Sequence, residues 1–307
     1  MYYIKAISTI SFQNSFECDN LYDSLKVIDS ESELFKPNYK EFISPVALRR
    51  LSPILRMGLT NSLDCQKQLE EEIDAVIVGT GLGCLKDTEK FLINFNTAVS
   101  DLLSPTSFIQ STHNTIGGQI SLAMKNHGYN MTHTQNNVSF ELSLLDGIMC
   151  LNEGKSNVLI GAADEFIPFL NKLQPELLSD KYPLTSSSAF FVFSQEAVDT
   201  RIGIKNVHIS FDPEKIDKEI EEFLKQNNLT LSDIDLIEHS DVNSNTIQEH
   251  PKTLNYLQYT GMNFSASAVA THIAHDYLKG NDKRNVLIVN ALLKSSLGLI
   301  LVSKSEA

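Results

Sequence analysis

The tetrapeptide Asn-Val-Leu-Ile occurs twice, at Asn157–Ile160 and Asn285–Ile288, and the elements around it recur in the same order. In each copy a helical stretch ends near a glycine (Gly154, Gly280), the tetrapeptide follows, and a loop leads to a second apolar run, Ala189–Phe193 or Leu297–Val302. A repeated unit of this kind points to a duplicated βα half. Runs such as Ala75–Val78 and Ala189–Phe193 are apolar at every position, the signature of strands buried on both faces, and they alternate with helical stretches. The expected fold class is therefore α/β, with two parallel-rich mixed sheets covered by helices. Two halves, 1–200 and 201–307, packed as one compact domain, account for both copies.

Composition narrows the function classes. Lys and Arg total 25 against 38 Asp and Glu, a formal charge of −13, so the basic footprint of a nucleic-acid binder is missing. Hydrophobic residues at 42% and charged residues at 21% are enough to build a core, which argues against disorder. No apolar stretch approaches the ~20 residues of a membrane span, and Met1–Ile10 lacks the basic start of a signal peptide, so a cytoplasmic protein is expected. Cys18, Cys65, Cys84 and Cys150 show no CxxC or Cys/His spacing and read as reduced structural thiols, with no metal and no cofactor implied.

Along the chain, Tyr2–Ser11 reads as a strand, followed by loops to Ile43 and a helical stripe at Leu48, Leu51, Leu55, Leu59 and Leu63. Ala75–Val78 is a buried strand that runs into Gly79-Thr80-Gly81-Leu82-Gly83 and a helix from about Lys86 to Leu102. The glycines invite a nucleotide-binding reading, but the third comes one residue too early for the dinucleotide fingerprint. A tight strand-to-helix turn is the simpler account. Ile116–His127 and Ser139–Glu153 read as helices around a short strand, Tyr129–Thr134. The segment with Pro168, Pro175 and Pro183 reads as a loop. In the second half the expected elements are a strand at Ile202–Phe211, a helix capped by Asp212 and running to Gln226, a strand at Asp235–Ile237 and a helix at Ser265–Lys279.

The duplicated architecture, the Val76-Ile-Val-Gly-Thr-Gly-Leu-Gly83 turn, Asn114-x-x-Gly117, the Gly154…Val158–Glu165 stretch and a late Ile237-Glu238-His239 together resemble the β-ketoacyl synthases of the thiolase superfamily. The correspondence runs along nearly the whole chain. It implies layers in the order αβαβα. Thr112-His113-Asn114 and Ser139-Phe140-Glu141 give it the style of divergent members found with aryl polyene or flexirubin-type pathways.

Condensation in that family needs a Cys at a helix N-terminus to carry the acyl thioester, and two His residues that polarise the malonyl carbonyl. Counting back from Gly154, the resemblance puts Asn137 at the nucleophile position, within a window of residues 135–137 that holds no cysteine. An amide cannot carry a labile thioester. Ser139 is a possible nucleophile without a legible base, and a helix-start Ser more simply caps. His239 falls at the first His position, as a pocket donor or as a hydrogen-bonded strand-end histidine. The turn Thr260-Gly261-Met262 puts Met262 where the second His belongs, with the mid-helix His272 as the alternative if the register slips, and His272 and His275 read as neighbours on one helix face without a legible third metal ligand. The family's closing Gly-Phe-Gly-Gly loop is replaced by Asn290-Ala-Leu-Leu-Lys-Ser-Ser-Leu-Gly298.

No catalytic set is intact, and the resemblance implies a subunit like a chain-length factor. Such a subunit pairs as a heterodimer with an active ketosynthase and shapes its acyl tunnel in polyene or fatty-acid-like biosynthesis. Asn137, Phe140, His239 and Met262 are the acyl-pocket candidates, with Phe166 and Phe169 as further bulk. Arg49, Arg50 and Arg56 form the compact basic cluster and are candidates for docking an acidic acyl carrier protein, although at −13 the chain leaves most of that docking to its partner. The competing readings are an enzyme of altered chemistry on acyl thioesters, a hydrolase, acyltransferase or decarboxylase using Ser139 or Asn137 with His239, and a homodimeric scaffold.

Overall fold

The structure is a computed structural model and describes residues 1–97, 105–177, 180–211, 213 and 215–306. Ten strands are present among them: β1 Tyr2–Ile10, β2 Ala75–Gly79, β3 Tyr129–His133, β4 Val158–Asp164, β5 Ser187–Ser194, β6 Ile202–Phe211, β7 Leu236–His239, β8 Thr253–Asn255, β9 Asn285–Asn290 and β10 Ser296–Lys304. They form one large mixed sheet of ten strands, the two expected sheets being its halves, in the order β3-β2-β4-β5-β1-β6-β10-β9-β7-β8. The second five repeat the first five in mirrored order, so the duplication legible around Asn-Val-Leu-Ile is a duplication of topology. In each half three strands pair parallel (β3, β2, β4 and β8, β7, β9) and two complete the sheet antiparallel. The halves meet where β1 pairs with β6 through Tyr2↔Ile204 and Tyr3↔Gly203.

Period-2 alternation explains why the strands are apolar throughout. Ala75 and Ile77 of β2, Ile160 of β4 and Phe191 of β5 point to a central core, while Val76, Val78, Leu159 and Phe190 point to an outer one. In the second half Val286 and Ile288 share that central core, and Leu287, Val289 and Leu299 face the outer layer that contains Ile220 and Phe223. Two helices fill the middle layer, Ser139–Asn152 and Ala266–Gly280. The first touches β2 and β4 of its own half and β6 and β10 of the other; the second touches β9 and β10 and reaches β5 and β1. The helix Pro53–Lys67 covers the first sheet and Ile216–Gln226 the second, which completes the αβαβα layers.

Several boundaries differ from the sequence reading. The Leu48–Leu63 stripe is two helices, Pro45–Leu48 and Pro53–Lys67, because Pro53 cannot donate into a continuing helix and opens a new one instead. A helix over Leu170–Leu177 occupies part of the proline-containing loop and runs through Pro175. The second-half helix begins at Ile216, after Lys215 rather than at Pro213; Asp212 itself, like Leu102 at the expected end of the helix Leu85–Thr97, lies outside the described residues. Strand β8 has no counterpart in the sequence reading, since three residues are too few for a periodic signal.

Candidate functional site

The glycine turn is filled by the protein's own carboxylate. Asp164, at the end of β4, accepts from the Gly81 and Leu82 amides at 2.9–3.1 Å, from the Thr80 hydroxyl at 3.1 Å and from the Ser265 hydroxyl at 2.6 Å. Successive backbone N–H groups of this kind cradle phosphates elsewhere; here they solvate a buried Asp. Glu165 next to it accepts from the Lys86 amide at 2.9 Å, and burial pushes its carboxyl up to about 7. Gly83, at φ +64°, lies against the His113 ring and has no room for a side chain. The turn is structural.

Asn137 sits in a 3-10 turn, Asn136–Val138, that feeds the central helix Ser139–Asn152, and it is fully buried. Its carbonyl oxygen Oδ1 accepts from the Ser296 hydroxyl at 2.8 Å, and its backbone carbonyl accepts from Asn290 Nδ2 at 2.6 Å. Asn290 Nδ2 also donates to Glu141 Oε1 at 2.7 Å. Asn137 is thus held in a polar network that ties the helix start to β9 and β10. Sequence reasoning missed Glu141, Asn290 and Ser296 in this role. Burial pushes the Glu141 carboxyl up to about 7, partly offset by the Asn290 hydrogen bond. Glu238 of β7 is fully buried with no hydrogen-bond partner for either carboxyl oxygen among the described residues, and burial pushes its carboxyl well above the usual range. Asn137→Ala strips Ser296 of its acceptor; the expected loss is about 1–2 kcal/mol in urea denaturation, and an unchanged midpoint would show that the network does not hold the helix start.

Ser139 is the first residue of the helix, but its hydroxyl does not cap the helix amides. It donates to the Asn136 carbonyl at 2.7 Å and lies 3.1 Å from the Thr80 carbonyl, and it accepts from the Gln135 amide at 2.8 Å. No base contacts it among these bonds. His239 ends β7; its Nδ1 accepts from the Val242 amide at 3.3 Å, and burial lowers its pKa, so the ring is neutral at pH 7. Phe140 is fully buried against Phe191, ring centroids 5.8 Å apart, in the central core. Phe166 is half-buried and Phe169 is exposed.

A largely apolar cavity of about 260 Å³ opens where three segments converge in space: the glycine turn (Leu82), the turn at Met262–Phe264, and the loop after β9 (Leu292, Leu293). Leu170 and Leu173 close it from the helix Leu170–Leu177, and Asp164 and Glu165 stand at its wall. Of the four pocket candidates, Met262 lines this cavity; Asn137, Phe140 and His239 do not. The three arginines do come together. Arg49, Arg50 and Arg56 line one cleft with Lys86 and Lys90, but Arg56 spends its guanidinium on the Leu48 and Leu51 carbonyls at 2.8 and 2.9 Å.

All four cysteines are unpaired, and burial pushes the thiols of Cys65, Cys84 and Cys150 upward, as inert structural thiols require. No helix among the described residues is long and apolar enough to cross a membrane.

No curated protein sequence matches the chain. Among solved structures the fold is similar to the ishigamide ketosynthase/chain length factor (TM-score 0.80, 13% identity). It is similar also to the ketosynthase ApeO in complex with its chain length factor ApeC from Xenorhabdus doucetiae (0.62, 15%) and to the type II AntDE:AntF complex of a ketosynthase with its acyl-carrier protein (0.78, 13%). Each similarity covers 99% of this chain and 99% of the other. The thiolase-like α/β fold that the resemblance implied is therefore the fold observed. Residues 29–248 match the model of the β-ketoacyl synthase N-terminal domain, and since that match spans most of the sequence, the chain belongs to this family.

Proposed function

We propose that this chain is a non-condensing ketosynthase-like subunit that pairs with an active β-ketoacyl synthase, in the manner of a chain-length factor. The observation that carries the reading is Asn137: an amide, fully buried and hydrogen-bonded to Ser296, stands where the family's thiol would accept an acyl group. Met262 supplies a thioether, which cannot donate a hydrogen bond, where the second histidine would polarise a carbonyl. The halves fall at 1–200 and 201–307 in this reading, and the assembly is cytoplasmic.

The surface supports a partner. Strand β3 is an uncovered sheet edge, with Asn130 and Met131 exposed. Leu122 and Met149 are exposed on the two helices that pack against β3, at 74% and 60%. An edge strand flanked by apolar side chains is a ready template for pairing with another chain. A second apolar surface, Leu92, Ile93, Phe95, Phe108 and Ile109, lies on the contacting helices Leu85–Thr97 and Pro105–Gln110. The apolar cavity beside Met262 supplies the wall of an acyl tunnel completed by the partner. Arg49 and Arg50 with Lys86 and Lys90 form a subsidiary carrier-protein contact, the principal one lying on the partner. Polyene or fatty-acid-like chains are the substrate class that the cavity suits.

Co-expression with a tagged ketosynthase of the same gene neighbourhood tests the reading. Expected is co-purification, with condensation of malonyl and acyl carrier protein only in the mixture and no change on Asn137→Ala. Met131→Lys, at an exposed position, should abolish co-purification while leaving the melting temperature of the isolated chain unchanged. Turnover by this chain alone would overturn the proposal.

A further inference from the structure

A second cleft, of about 660 Å³, lies between β1, the loop that follows it and the central helix Ala266–Gly280. None of its lining residues belongs to the polar network around Asn137 or the apolar cavity. Three of them carry metal-binding atoms close together. The i, i+4 spacing puts His272 and Asp276 on one helix face, with Nε2 of the imidazole 3.3 Å from Asp276 Oδ2. The loop after β1, turned by Glu17 at φ 50°, folds Cys18 over the pair, so that one donor atom from each of Cys18, His272 and Asp276 lies within 4.8 Å of the others. His272 and Asp276 are buried at 6% and 3% exposure, and Cys18 is half-buried at the cleft.

The surroundings are arranged as an outer coordination shell would be. His272 Nδ1 faces the Thr9 hydroxyl at 3.0 Å, which leaves Nε2 turned to the cluster. Asp276 Oδ1 is held by His275 Nδ1 at 2.9 Å, and Oδ2 accepts from the Leu21 amide at 2.6 Å. Outer partners of this kind fix the tautomer and orientation of metal ligands. Five carboxylates against three lysines line the cleft, so its field favours a cation.

We propose that Cys18, His272 and Asp276 form a binding site for zinc or a similar borderline-soft divalent cation, with a fourth position open to the cleft. One thiolate, one imidazole and one carboxylate suit such an ion, whereas magnesium and calcium select all-oxygen sites. On binding, the cation displaces two protons, the thiol proton that Cys18 now directs to the Ser15 carbonyl at 3.4 Å and the Nε2 proton that His272 holds toward Asp276, and both leave to solvent. His272 contributes the Nε2 lone pair and Asp276 its carboxylate. The rival account is a metal-free ion pair that only anchors the loop to the helix.

Equilibrium dialysis of the chelator-treated full chain against Zn²⁺, with Co²⁺ as the spectroscopic probe, separates the two. Expected are one ion per chain, tetrahedral cobalt bands and a thiolate-to-cobalt charge-transfer band. Cys18→Ser should lose that band while its metal-free melting temperature stays that of the parent. Thr9→Val, which frees the outer nitrogen of His272, should weaken zinc binding by roughly 10–100-fold. Absence of stoichiometric binding, or binding unaffected by Cys18→Ser, would overturn the site. Because ketosynthase pairing uses neither Cys18 nor His272, this result and the co-purification result stand independently.

Discussion

Gly79→Ala should lower stability by about 3 kcal/mol, a large cost for one added methyl group. A Cβ on Gly79 would lie 2.6 Å from the Ser139 carbonyl oxygen and 2.8 Å from the Phe140 nitrogen. Those are backbone atoms at the start of the central helix, so no flexible side chain can yield; the strand and helix would have to separate. Gly118→Ala serves as the control, since a Cβ there meets nothing within 4 Å and the position is helical. That substitution should be neutral or stabilising by up to about 1 kcal/mol. Urea denaturation of both variants checks the pair, and a loss below ~1 kcal/mol for Gly79→Ala would mean that the helix start is not closely seated on β2.

Glu141→Gln should stabilise the protein at pH 8 and leave it nearly unchanged at pH 4. Burial raises the native Glu141 carboxyl from an ordinary 4.5 to about 7. Between those values the native state holds a proton that the unfolded chain has released, so Glu141's contribution is fully present below about 4.5 and is lost as pH rises through about 7. That displacement is worth about 3 kcal/mol. A glutamine keeps the acceptor for Asn290 Nδ2, turns its amide toward Ser267 and never has to ionise. Glu165, also raised to about 7, gives the parent protein a pH dependence of the same sign. The difference between variant and parent isolates Glu141. Denaturation midpoints whose difference does not change between pH 4 and pH 8 would refute a buried, neutral Glu141.

Much of the fold could be read from the sequence because its signals are local. Asn-Val-Leu-Ile in matching contexts marked two copies of one unit, and the uninterrupted apolar runs marked strands with a core on each side. Pro53 was the local signal misjudged: a stripe of leucines at helical spacing continued across a residue that ends one helix and begins another. The site was less legible. Asn137 could be placed by counting from Gly154, but its partners Asn290 and Ser296 come from the far end of the chain, in a stretch that the resemblance singled out only for the loop it replaces. The same distance hid the third ligand for His272: Asp276 is four residues on, whereas Cys18 is brought up by a loop at the other terminus. Asp164 stood in the Val158–Glu165 stretch without an assigned role, and its capture of the Gly81 and Leu82 amides appears only once β2 and β4 are side by side.

Each middle helix rests against strands of both halves, while the sheets themselves share only the short β1–β6 seam. Either half on its own would keep only its own middle helix on the inner face of its sheet: the first would lose Ala266–Gly280 from β5 and β1, and the second would lose Ser139–Asn152 from β6 and β10. The duplicated halves are therefore obligate companions: the chain should melt in a single cooperative transition, and a protease cut between Thr200 and Arg201 should leave two fragments that stay associated until both unfold.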